Sequence, residues 1–255
     1  MEVLNIKPVS RRRKILQERG STILRAAEEI LLKEGYYGLT MEAVASKSKV
    51  SKGTVYLHYG CKEDVVLALA QRATRHRNDM LQRGAQFEGR PRERVLAMGE
   101  AMGLFQRLHT DQSSIIHMAM GPVREKASLD RVAALVRLEE EATGVLRQVV
   151  QDATDSGDLD APRDGMVEEL LLGAWALVDG AYTLIESGAV GASLKITDPF
   201  HKVWRSFNVL ADGYGWRPLF SEWDYEESMS RIRKAIFPDE AQRLYGEGNW
   251  YGDGC

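Results

Sequence analysis

The side chains best equipped for chemistry fall in one short stretch. Thr40, Ser51, Lys52, Thr54, Tyr56, His58 and Lys62 bring hydroxyl, ammonium, phenol and imidazole groups together between residues 40 and 62. They match no nucleophile elbow, phosphate-binding glycine loop, His-Glu-x-x-His or paired-carboxylate pattern, so bond-making chemistry is not what the set suits. It suits hydrogen bonding to a polar partner. Thr40 and Ser51 each stand just before a run with helical apolar spacing, the place of an N-cap. The helix N-termini they open carry unpaired backbone N–H groups and the positive end of a dipole, which attract phosphate. Lys52 can donate to oxygen and nitrogen acceptors, and Tyr56, at i+4 from it, faces the same way.

Two short helices must position these groups. The first is predicted from Met41 to about Lys47, with Met41, Val44 and Ala45 as its apolar points, and the second from about Lys52 to Tyr59. Ser48-Lys49-Val50 is the joint, and Val50 and Val55 anchor the second helix on the first. Gly53 costs helix stability, roughly 1 kcal/mol against alanine, which makes sense if something must approach the backbone there. Two short helices around a tight turn form the pattern of a helix-turn-helix; an arbitrary helical hairpin is the bland alternative. Charge favours the first. Residues 1–62 hold 12 Lys and Arg against 6 Asp and Glu, a net +6, while the whole 255-residue chain is −3, so the remainder is −9. A basic head on an acidic body suits a polyanionic partner, although a solvated charged face would look the same.

The run GYYGLTMEAVASKSKVSKGTVYLHYGCKEDVVLALA, residues 35–70, resembles the N-terminal signature of the TetR family of transcriptional regulators. It has the glycine-aromatic-x-Gly-Leu-Thr before the first short helix, Val-Ser-Lys-Gly-Thr-Val-Tyr at the second, and an aromatic before the Lys-Glu-Asp that opens the next helix. With the helix ahead of it, the similarity covers about residues 12–75. The resemblance implies an all-α protein: a three-helix DNA-binding head and a larger helical body that dimerises and holds a small molecule. It implies that Thr40 sets the first short helix on the DNA backbone. Ser51, Lys52, Gly53, Thr54 and Tyr56 would meet the bases, and His58 and Lys62 the flanking phosphates. His58 could equally be a surface residue of no function, and Tyr59 reads as core. Cys61 stands where a small polar residue is more usual and is a poor cap for the helix that follows. Arg11, Arg12, Arg13 and Lys14 read either as an arm for the minor groove or backbone, or as an unstructured basic start.

The rest of the chain is predicted helical throughout, with no strand signal and no internal repeat. Ile23, Ala26, Ala27, Ile30 and Leu31 form one apolar stripe, stopped by Gly35. Further helices are expected over 62–83, 91–108, 113–120, 128–156, 164–187 and 199–212, and a last one runs to about Phe237, opened by a capping box of Ser221 with Asp224. The domains expected are a DNA-binding head over 1–75 (with 1–14 as the basic arm), a body over 76–237 and a Gly-rich tail over 238–255. Glu169–Ile185 is apolar around most of its circumference, and Phe200, Val203, Trp204, Phe207 and Leu210 line 199–212. These two helices are the expected homodimer interface, a monomer core being the alternative. Met98, Met102, Phe105, Met118, Trp175 and Tyr182 are candidate effector-binding residues, since methionine adapts to irregular ligands; they could also be plain core. His109, Asp111 and His117 span a helix break without a second cluster, so neither a metal nor a cofactor is expected. The two cysteines, Cys61 and Cys255, suggest structural thiols.

No apolar run approaches the ~20 residues a membrane helix needs, and the start lacks a signal peptide's apolar stretch. The protein is therefore expected in the cytoplasm, and not as an enzyme. The expected function is a repressor released from an inverted-repeat operator by a mostly apolar effector. The alternative is an architectural DNA-binding protein on the same scaffold without an effector.

Overall fold

The computed structural model describes residues 11–160, 163–188, 196 and 198–246. They form twelve helices and, among the described residues, no strand: α1 Arg11–Gly38, α2 Met41–Ser48, α3 Lys52–His58, α4 Lys62–Ala85, α5 Pro91–Leu108, α6 Thr110–Met120, α7 Pro122–Lys126, α8 Leu129–Asp155, α9 Met166–Glu186, α10 Pro199–Gly213, α11 Tyr225–Ile236 and α12 Pro238–Tyr245. No helix among the described residues is long and apolar enough to cross a membrane.

The chain divides into two compact units. One holds residues 1–73 and 114–136, the other 74–113 and 137–255. The head expected over 1–75 is thus discontinuous: it also takes in the end of α6, all of α7 and the start of α8. The reason is burial. Ile115, Ala119, Val123 and Leu135 complete the same apolar core as Ile23, Ile30, Val44 and Val55.

Within this unit the expected stripe of α1 is buried from Ile23 to Leu31. Gly35 takes φ 72°, a left-handed conformation that costs glycine little, and kinks the helix there. Arg11–Lys14 lie in the first turn of α1 rather than in an arm, and residues 1–10 are outside the described residues. α2 closes on a Schellman-type turn: the Lys49 N–H donates to the Ser46 carbonyl (3.3 Å) and the Val50 N–H to Ala45 (3.2 Å). Lys49 sits there at φ 56° without being glycine. Cys61 stands just before α4, and Asp64 reaches back to the Gly60 N–H (3.1 Å) and also accepts from the Ser128 N–H (2.8 Å).

In the second unit α5 packs on α10, α11 and α12, and α9 packs on α10. Arg92 is wholly buried and ties α5 to the end of α10, donating to Asp212 (2.7 Å), to the Trp216 carbonyl (2.6 Å) and to the Asn208 carbonyl (2.9 Å). Two departures from the sequence reading matter. Asp224, not Ser221, caps α11. The expected tail begins with a helix, α12, held to α4 by Arg83 donating to Glu240 (2.5 Å) and to α5 through Tyr245. Residues 247–255 lie outside the described residues.

Candidate functional site

The head presents α2 and α3 as a capped pair. Thr40 accepts from the Ala43 N–H (3.1 Å) and Ser51 from the Thr54 N–H (3.1 Å), while the Ser51 and Thr54 hydroxyls meet at 2.9 Å. Each cap satisfies one orphan donor and leaves the others of its first turn for a partner. Lys52, Gly53 and Tyr56 are exposed on α3. A Cβ built at Gly53 meets no protein atom nearer than 3.9 Å, so packing within the protein does not demand a glycine there. Lys52 forms an ion pair with Glu42 of α2, which raises its pKa through that hydrogen bond; both side chains are over half exposed.

Two of the expected phosphate contacts are placed otherwise. His58 turns inward: its ring lies over Gly20 of α1, where an added Cβ would sit 3.5 Å from Nδ1. Its Nε2 is buried without a hydrogen-bond partner among the described residues, and burial lowers its pKa. Lys62 is half-buried, with its ammonium 4.0 Å above the Tyr36 ring and donating to the Tyr36 carbonyl at 3.4 Å. Tyr36 in turn donates to Glu63 (2.6 Å), and burial first, then Glu63, pushes its pKa to about 12. The sequence reading missed two exposed apolar groups beside these, Tyr37 at 92% and Leu57 at 76% exposure. An apolar side chain standing out of the α3 surface was the available signal. Cys61 is half-buried, and burial raises its thiol pKa.

The second unit contains a cavity of about 230 Å³. Met98 and Met102 of α5, Trp175 and Tyr182 of α9, and Phe200 and Trp204 of α10 line it. Two expected effector residues are elsewhere. Phe105 is buried against His76 and His109, and Met118 packs on the core of the first unit. Phe105, at i+7 from Met98, is on the same stripe but two turns further along α5, where His76 and His109 cover it. Charged and polar groups that the sequence reading did not single out also line the cavity, among them Arg77, Glu100, Arg107, Arg233 and Tyr245. On the outside of α9 and α10, Leu172 (70% exposed), Leu184 and Val209 (63%) stand uncovered. No group of three or more His, Cys, Asp or Glu side chains among the described residues could hold a metal.

Residues 23–69 match the family model described as bacterial regulatory proteins, tetR family. Over those residues, the head of the chain is similar to the tetR family. The HTH-type transcriptional regulator HbdR of Aromatoleum sp. (strain CIB) is 34% identical over 62 residues, which are 24% of this chain and 27% of that protein. The chain thus aligns with about a quarter of that curated relative's length. Similar solved structures extend beyond the tetR head. A protein of unknown function from Rhodococcus sp. RHA1 superposes with a TM-score of 0.61 at 20% identity, covering 84% of this chain and 100% of that one. The fatty acid degradation regulator FadR from Bacillus halodurans does so with 0.57 at 15% identity, over 78% and 97%. At such identities the likeness is one of fold alone.

Proposed function

We propose that this chain is a sequence-specific DNA-binding transcriptional regulator that binds an inverted-repeat operator as a homodimer and is released by a mostly apolar small molecule. The observation that carries the reading is the α2–α3 pair of the tetR head: two capped N-termini, with Lys52, Gly53 and Tyr56 exposed together on α3. Thr40 and Ser51 hold phosphates through the free N–H groups of their first turns, and Lys52 reads a guanine. To do so Lys52 exchanges Glu42 for the base. His58 acts from behind as packing, and Lys62 is left with a weak backbone contact.

The uncovered Leu172, Leu184 and Val209 support a dimer through α9 and α10, because exposed apolar groups on neighbouring helices mark an interaction surface. The cavity supports an effector over an architectural role, which needs none. Repression follows if the operator overlaps a promoter. Selection of bound genomic fragments tests the reading: enrichment of one palindromic sequence is expected, and binding without sequence preference would contradict it. An effector must loosen the operator through its differential affinity for two states, about 5–150-fold at typical couplings, and operator must weaken effector by the same factor.

A further inference from the structure

The cavity is walled mainly by apolar side chains, with three arginines (Arg77, Arg107 and Arg233) and five carboxylates among them. Each carboxylate has a partner. Asp198 accepts from the His201 N–H as the N-cap of α10 (3.0 Å), and Glu226 faces the His201 ring nitrogen (3.0 Å). Glu100 accepts from Arg233 (2.7 Å) and from the Tyr245 hydroxyl (3.2 Å). Glu139 and Asp179 face Arg77. Arg107 differs. Its Nε donates weakly to the Gly103 carbonyl (3.3 Å) and one terminal nitrogen to the Tyr245 hydroxyl, and no carboxylate among the described residues pairs with it.

Arg107 is also held in place. Its guanidinium lies 4.4 Å from the centre of the Phe200 ring and 4.9 Å from that of Tyr245, so the plane is fixed while the remaining N–H groups are free. Tyr182 stands beside it. That residue is only 5% exposed, its hydroxyl lies 3.2 Å from where a Cβ on Gly103 would be, and it makes no hydrogen bond among the described residues. A phenol and a guanidinium side by side, each with donor capacity left, suit an anion with oxygen acceptors, since guanidinium and carboxylate pair with matched geometry.

We propose that the effector is an apolar monocarboxylic acid whose carboxylate pairs with Arg107 and accepts the Tyr182 hydroxyl, with its hydrocarbon body against Met98, Met102, Trp175 and Val178. This rests on the effector reading above and assigns its chemical class. Size bounds the body. A cavity of roughly 150 Å³ takes benzene, so about 230 Å³ takes one ring with a short chain, or a chain of similar volume. Gly103 belongs to the site: a methyl group there would press on the Tyr182 hydroxyl and shift it from the acid.

Calorimetric titration of the full-length protein with matched probes tests this. The probes are 4-phenylbutanoate, 4-phenylbutan-1-ol and 4-phenylbutylamine, and octanoate with octan-1-ol and octylamine. The acid of at least one skeleton is expected to bind about tenfold or more tighter than its alcohol, the worth of one charge-assisted hydrogen-bonded pair. Arg107→Met should remove that preference by weakening the acid far more than the alcohol, since the charge-assisted contact is lost. Tyr182→Phe, which alters only a hydroxyl, should reduce the preference partway and keeps the test valid if Arg107→Met fails to fold. Alcohols that bind as tightly as the acids, or amines that bind best, would overturn the acid class and leave an apolar effector standing. Binding of no probe in any form would overturn the acid class and count against the effector reading as well.

Discussion

At the scale of single residues, the head is a matter of which donors are free and which are taken. Lys52 is exposed but held by Glu42, so its contribution to DNA binding is a difference between two partners. Lys52→Ala should cost roughly 1–3 kcal/mol on the preferred operator and relax preference at one base pair, read by competition binding against single-base variants. Glu42→Gln should act oppositely, tightening all DNA and steepening the salt dependence, because it frees the ammonium and removes a charge that repels phosphate. No change in affinity would show that the ion pair does not compete. His58 sets a pH dependence. Its folded pKa lies below the ordinary value because burial disfavours the imidazolium. The unfolded chain therefore binds the proton more readily, and stability falls as pH drops through the ordinary histidine range near 6.5. Thermal melts at pH 7.5 and 5.5 should show the protein losing more stability on acidification than His58→Asn does; equal losses would remove His58 from the account.

At the scale of elements, most of the fold was legible because the relevant signals are local. The stripe from Ile23 to Leu31, the caps Thr40 and Ser51, and the punctuation at Gly35, Gly157 and Pro199 lie within a turn or two of what they specify. What was not legible depends on distant partners. Nothing near Met118 shows that it packs on the first unit, nor that Tyr245, in an apparent Gly-rich tail, lies on a helix beside Arg107 and Glu100. His58 misled for the same reason: the signature gives its place on α3, while its inward turn depends on Gly20 of α1. Gly84 shows how such a contact overrides local preference. Alanine would gain about 1 kcal/mol of helix propensity in α4, but its Cβ would lie 2.7 Å from the Ala97 carbonyl oxygen on α5. Backbone cannot swing aside as a side chain can, and overpacking costs roughly 1–3 kcal/mol. Gly84→Ala should therefore lower the denaturant midpoint; a raised midpoint would mean that α4 and α5 separate freely.

At the scale of the whole molecule, the uncovered side chains of α9 and α10 and the capped pair of the head must serve one assembly. Placing a charge in the former, as in Leu172→Glu or Val209→Glu, buries an unpaired carboxylate if a second copy sits there. Sedimentation should then show a monomer that still folds and binds DNA more weakly, because one head alone meets one half-site; an unchanged dimer would place the interface elsewhere. Two-fold symmetry carries the same demand to the DNA. The most direct test is footprinting on the genomic fragment most enriched by the full-length protein. The account predicts two inverted half-sites protected together, their centres about 34–36 Å apart or a multiple of that, with protection lost in Lys52→Ala. A single asymmetric site, or protection that follows no sequence and survives Lys52→Ala, would contradict it.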